Sequence, residues 1–180
     1  MNYSFPFSLF TDIDSLASNS PYAQFFKDYF ITSSVCLEVL GIGLLLSAVL
    51  CLLFYLGIGN HVYVLSKRIV WFIVLVITCI SVFFITNSYI VGTDGGDSTT
   101  SSGLYYQSYI TEETLTDGLK SDAAKPIHKK AQAYRNEFRE DNVSLPSDIA
   151  TINTIFAFVF FVILSFCIKG RTIHTKAIPM

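Results

Sequence analysis

Glu38 is the residue whose chemistry most needs an explanation, because it lies inside an apolar run, Val35 to Ile58, long enough to cross a bilayer. A carboxylate in hydrocarbon is expensive unless it is neutral, paired or close to the headgroups. Its place about one turn beyond Thr32, Ser33 and Ser34, where the helix is expected to begin, lets it reach the interface. The sharper expectation is a polar contact with a neighbouring helix, for which Asn153 is the candidate.

The other residues able to do chemistry are dispersed. His61, His128 and His174 stand apart from one another and from any second ligand at metal-binding spacing. Cys36, Cys51, Cys79 and Cys167 all fall inside apolar runs, so they read as small hydrophobes rather than disulfide or zinc partners. Asp94-Gly95-Gly96-Asp97 lacks the further oxygens and closing Glu of a calcium loop. There is no Gly-x-Ser-x-Gly elbow, P-loop or dinucleotide glycine pattern. The expectation is therefore a chain with no catalytic residues, metal or cofactor, and not an enzyme.

The elements that hold these residues follow from composition. With 52% hydrophobic residues, 14% charged residues and a mean hydropathy of +0.51, a soluble chain of 180 residues would carry more apolar surface than one small core could hide. Apart from Glu38, charges are expelled from three windows: residues 35–58, 69–91 and 149–168. Each reaches the roughly 20 residues that a helix needs to cross about 30 Å of hydrocarbon. Only a helix pairs every backbone N–H and C=O within one segment in lipid, and the period-two alternation of a membrane strand is missing. The fold class expected is an all-α membrane protein with three transmembrane helices and a small, partly helical extramembrane region between the second and third.

Within the first span, Gly43, Ser47 and Cys51 recur every four residues, a small-residue stripe that lets helix backbones approach closely. With Glu38 and Asn153 they form the expected helix–helix contact set. Intramolecular packing and a homo-oligomer both fit such a stripe.

Orientation follows from the basic residues beside the spans. Residues 59–68 carry Lys67 and Arg68, and residues 169–180 carry Lys169, Arg171 and Lys176, with no acid in either segment. The positive-inside rule makes these the cytoplasmic segments and places the N-terminus and residues 92–148 outside. The outer side holds more basic residues in total, Lys27 and Lys120, Lys125, Lys129, Lys130, Arg135 and Arg139. Those of the long segment lie far from the end of the second span, and long loops translocate with less regard to charge. The expected location is a bacterial inner membrane, with the lipid bilayer as one partner. The net charge of −2 and the mildly acidic outer segment argue against nucleic acid.

Residues 1–34 form an aromatic-rich tail (Phe5, Phe7, Phe10, Tyr22, Phe25, Phe26, Tyr29 and Phe30) able to lie in the membrane interface. No compact apolar stretch precedes a small-residue cleavage site there, so the tail is expected to be retained. In the long segment, the Gly, Ser, Thr and Asp of residues 92–103 read as a flexible linker, and Leu104 to Ile110 as a short strand. Short helices follow over residues 111–141, with Leu115, Leu119 and Ala123 spaced by four and Pro126 as a first-turn proline. Ile127, Ala131, Tyr134 and Phe138 then share one helix face. Two helices this short need a partner to bury that face, so these residues are the expected docking stripe. Asn142-Val143-Ser144 fits a glycosylation acceptor.

The function expected is a non-catalytic multi-pass subunit that anchors and docks a protein partner in a membrane or envelope complex. The alternatives are a membrane immunity or defence effector protein and a small oligomeric channel. The topology makes a direct prediction: a reporter fused after Met180 reads as cytoplasmic and one inserted at Gly96 does not, whereas a cytoplasmic signal from Gly96 reverses the orientation.

Overall fold

The computed structural model describes residues 22–27, 29–30, 34–58, 68–139 and 145–169. Phe5, Phe7, Phe10, His61, Lys67, Asn142-Val143-Ser144, Arg171, His174 and Lys176 lie outside the described residues. The described chain is helical, without strands. The elements are α1 (Ala23–Lys27), α2 (Val35–Leu52), which continues as a π-helical turn over Leu53–Ile58, α3 (Arg68–Val91), α4 (Gly103–Thr116), α5 (Ser121–Arg139) and α6 (Leu145–Lys169). Three of these helices are long and apolar enough to cross a membrane, over Val35–Leu56, Ile69–Val91 and Leu145–Ile168. The chain is a multi-pass membrane protein.

Two ends show how sequence sets helix limits. Gly92, at φ +73°, stops α3 as its amide donates to the Ser88 carbonyl at 2.9 Å, the left-handed glycine cap that satisfies a last-turn oxygen. α6 begins earlier than the apolar window at Ile149. Leu145-Pro146 open its first turn, where proline has no amide to lose, and Asp148 places an acid near the positive end of the helix dipole.

By contact the chain divides into two compact units, Met1–Glu38 with Asn87–Ile149 and Val39–Thr86 with Ala150–Met180. In the second unit the burial pattern is that of a membrane bundle. Large apolar side chains face outward, among them Leu45, Ile69, Phe84, Ile155 and Phe166, while Ser47, Thr78, Thr86, Asn153 and Ser165 are buried. A protein folded in water places these classes the other way round. The buried positions follow helical stripes: Val39, Gly43, Ser47, Cys51 and Tyr55 on α2 and its extension, and Asn153, Ala157, Phe161 and Ser165 on α6.

Polar contacts tie the three helices at two levels. Asn153 Nδ2 donates to the Val39 carbonyl at 3.0 Å and to Thr86 Oγ1 at 2.8 Å, so one amide from α6 reaches α2 and α3. At the second level Trp71 Nε1 donates to Ser165 Oγ at 3.2 Å, and Cys51 Sγ lies 3.6 Å from the same hydroxyl. An apolar cluster of Phe54, Tyr55, Leu75 and Phe161 packs with Cys51. The π-helical turn has a physical use here. Its wider winding brings successive side chains closer to one face, and both Phe54 and Tyr55 are buried.

Gly43 faces Asn153 directly. A Cβ added there would lie 2.7 Å from Asn153 Nδ2 and 2.8 Å from its Oδ1, and that amide is already fixed by its two bonds. Gly41, on the same helix, has nothing within 4 Å of an added Cβ. Gly43→Ala is therefore expected to destabilise the bundle by about 1–3 kcal/mol, as overpacking does, while Gly41→Ala has no adverse effect. Because the clash is with one side chain, most of the loss should vanish when Asn153 is also alanine, as non-additivity between contacting residues requires. Thermal unfolding of the four variants in detergent measures this, and strictly additive losses would refute the contact.

Candidate functional site

The first unit carries the extramembrane helices, and three expectations are corrected there. Residues 104–110 are helical rather than extended. A lone strand would leave its ladder groups unpaired, whereas α4 satisfies them within itself. α5 begins at Ser121, with the Lys120 carbonyl accepting the amides of Ala123 and Ala124, so Pro126 sits inside the helix and not in its first turn. Where residues 92–103 read as a linker, the chain forms hydrogen-bonded turns. Asp97 Oδ1 accepts from the amides of Thr99 and Thr100 at 3.0 and 2.8 Å and from their hydroxyls at 2.9 and 2.6 Å. Short polar side chains thus order the backbone without apolar burial.

These bonds, the Thr100 hydroxyl first among them, hold the Asp97 carboxyl down at about 2. Their contribution is fully present above the ordinary aspartate range, shrinks as pH drops below it and is gone once pH has fallen through about 2. The aspartate oxygen is fully engaged by its own turn.

α4 and α5 are joined by charge. Glu112 on α4 meets two residues of α5: His128 Nδ1 lies 2.6 Å from its Oε1, and Arg135 donates to its Oε2 at 2.6 Å. Both side chains of the Arg135 pair are only 14% exposed. The Arg135 guanidinium also lies over the Tyr109 ring, 4.1 Å from its centroid, and the Tyr109 hydroxyl donates to Asp94 Oδ1 at 3.1 Å. Burial and the bond to Asp94 raise the Tyr109 phenol, with Arg135 opposing. The row Asp94, Tyr109, Arg135, Glu112, His128 therefore fastens the turn, α4 and α5 together.

The expected docking stripe is occupied by the chain itself. Ala131, Tyr134 and Phe138 are buried, and Ile127 is half-buried. Tyr134 is the centre of the aromatic packing. Phe25 stacks on it at 4.9 Å between centroids, Phe26 meets it edge-on at 5.5 Å, Tyr22 lies at 5.3 Å and Phe138 at 5.8 Å. Tyr105 of α4 packs edge-on against Phe138 at 5.3 Å. Burial pushes the Tyr134 phenol well above its ordinary range. The surface read as a partner site is thus covered by α1 of the same chain. Tyr22, Phe25 and Phe26 thus join α5 in one aromatic cluster within the first unit.

The helix-contact residues are placed as follows. Gly43, Ser47, Cys51 and Asn153 are buried within their own unit. Glu38 accepts hydrogen bonds from Ser34 and, at 2.7 Å, from the Tyr89 hydroxyl, while the Asn153 amide serves Val39 and Thr86. Sequence reasoning missed Glu112, Arg135 and Tyr109 as a set. Glu112 and Arg135 are 23 positions apart and meet only through the register of the hairpin, for which one sequence offers no signal.

Comparison with protein-family models, characterised proteins and solved structures finds no match to this chain.

Glu112→Gln is expected to loosen the hairpin by about 1.5–3 kcal/mol, the range for hydrogen bonds to charged groups, because it leaves the half-buried Arg135 without its counter-charge. Asp122→Asn should change stability by less than about 1 kcal/mol, since the Lys125–Asp122 pair is exposed. Amide-exchange protection across α4 and α5 reports both, and equal effects would remove the clamp from its assigned role.

Proposed function

We propose that this chain is a non-catalytic subunit of a membrane complex, whose spans anchor it and whose α4–α5 hairpin presents a docking face outside a bacterial inner membrane. The observation that carries this reading is the face of α5 turned away from its own chain. Lys125, Lys129, Gln132, Asn136 and Arg139 recur at helical spacing and are all exposed, opposite the buried stripe of Ala131, Tyr134 and Phe138. Three of these five are basic, and among the described residues only Lys125 of the three has an acidic partner, Asp122 at 2.7 Å. The hairpin behind them is stiffened by the Glu112 clamp and the aromatic packing on Tyr134. A rigid basic face of this kind suits an acidic surface on a partner protein, which electrostatic complementarity would orient and accelerate toward it.

The converging charged side chains support a structural rather than catalytic reading, since Glu112, His128 and Arg135 spend their contacts on joining two helices. The N-outside orientation rests on the basic residues flanking the spans.

Photo-crosslinkers at Gln132 and Asn136 in native membranes are expected to capture a discrete protein, with none captured from Leu45 on the outward apolar face. Lys129→Glu with Arg139→Glu should abolish that capture while leaving the melting temperature of the purified protein within a few degrees. An ion current from the purified chain alone in liposomes, together with no capture at either position, would replace this reading with the oligomeric channel.

A further inference from the structure

A recess of about 470 Å³ opens in the first unit, walled by Tyr29, Tyr89 and Tyr106 together with the hydroxyl side chains of Ser88, Thr93 and Ser102. Its position in the chain is informative. Ser88 and Tyr89 belong to the last turn of α3, Val35 opens α2, Thr93 lies just beyond α3, and Ser102, which precedes α4, is bonded back to Thr93. These are the residues at which a membrane helix passes from hydrocarbon to headgroups.

The shape of the recess is held by backbone. Gly92 and Gly103, at φ +73° and +59°, approach so closely that a Cβ on Gly92 would meet the Ser102 carbonyl at 2.1 Å and one on Gly103 would meet the Ile90 carbonyl at 2.6 Å. The Thr93 amide donates to Ser102 Oγ at 2.9 Å, and the Tyr29 hydroxyl reaches the Ile90 carbonyl at 3.4 Å.

Charge selects the ligand. No wall residue carries a formal charge, but Tyr89 donates its hydroxyl to Glu38, and Ser34 donates to the other carboxylate oxygen. Glu38 is itself exposed, and the bond from Tyr89, a wall residue, ties its charge to the recess. Tyrosine rings and a carboxylate together are the chemistry that holds an ammonium group. Tyr89 and Tyr106 are 42% and 43% exposed, which leaves ring surface free for contact. Leu37, beside Glu38, is 44% exposed and offers apolar surface to an acyl chain.

We propose that this recess binds the ammonium headgroup of a phospholipid, with the cation against Glu38 and the tyrosines and the phosphate toward the serine and threonine hydroxyls. The site is a property of the first unit and stands independently of any protein partner.

The test uses the full chain purified in detergent, with binding followed by native mass spectrometry and thermal unfolding. The probes are short-chain phosphatidylcholine, phosphatidylethanolamine and phosphatidylglycerol, and choline alone. The two ammonium lipids are expected to bind and to raise the melting temperature, with phosphatidylglycerol at least about fivefold weaker. Glu38→Gln keeps the side-chain shape but removes the charge and should weaken ammonium-lipid binding at least about fivefold; Tyr106→Leu removes an exposed ring and should do likewise. Unaltered affinity in Tyr106→Leu, or in a folded Glu38→Gln, overturns the site, as does equal binding of phosphatidylglycerol. Choline binding as tightly as the lipids would overturn the lipid as source.

Discussion

The bundle of the second unit depends on one side chain. Asn153 is buried in α6, and its amide nitrogen carries two hydrogens that find the Val39 carbonyl on α2 and the Thr86 hydroxyl on α3. Lipid offers no competing donor or acceptor, so a polar group on a membrane helix must find its partner in the protein. Apolar packing alone tolerates sliding and rotation among smooth helices, because lipid tails are as apolar as the side chains they replace. A bidentate donor does not. It fixes the rotation of three helices at one level, and Gly43 supplies the space that allows it. The Trp71, Ser165 and Cys51 contacts set a second level, so the register is defined at two points along the helices rather than one.

The first unit solves a different problem with different means. Its helices are too short and too polar to hold together by apolar area alone. The Glu112 carboxylate draws His128 and Arg135 across the hairpin, and α1 adds Phe25 and Phe26 to cover Tyr134. Aromatic pairs contribute roughly 0.5–1.5 kcal/mol each beyond the area they bury, so a cluster centred on one ring has the strength to fasten a five-residue helix. The consequence is functional. A face that is filled from within is no longer available to an outside partner, and interest moves to the polar stripe on the opposite side of α5 and to the recess beside Glu38.

Much of this was legible beforehand. The three spans followed from the length of the apolar windows, charged only at Glu38, and the structure places its apolar helices over the same stretches. The spacing of Gly43, Ser47 and Cys51 marked the buried side of α2, because small residues repeated every four positions can only be a close-packing stripe or chance. The spacing of Ala131, Tyr134 and Phe138 marked the buried side of α5 for the same periodic reason. The early start of α6 was also present in the sequence, as a first-turn proline followed by an acid, but the apolar window hid it.

What the sequence determined by itself were the properties that repeat along one helix: which segments enter lipid, which face of each is buried, and that no span carries the alternation of a strand. These depend on local geometry with a fixed period, and a single chain displays them. Tertiary structure alone decided which buried faces meet. The pairing of Glu112 with Arg135, the reach of Asn153 to Thr86 and the seating of Phe25 on Tyr134 join residues far apart in sequence. Each depends on the angle and register between elements, and those are set by the summed packing of the whole unit rather than by any residue's neighbours along the chain.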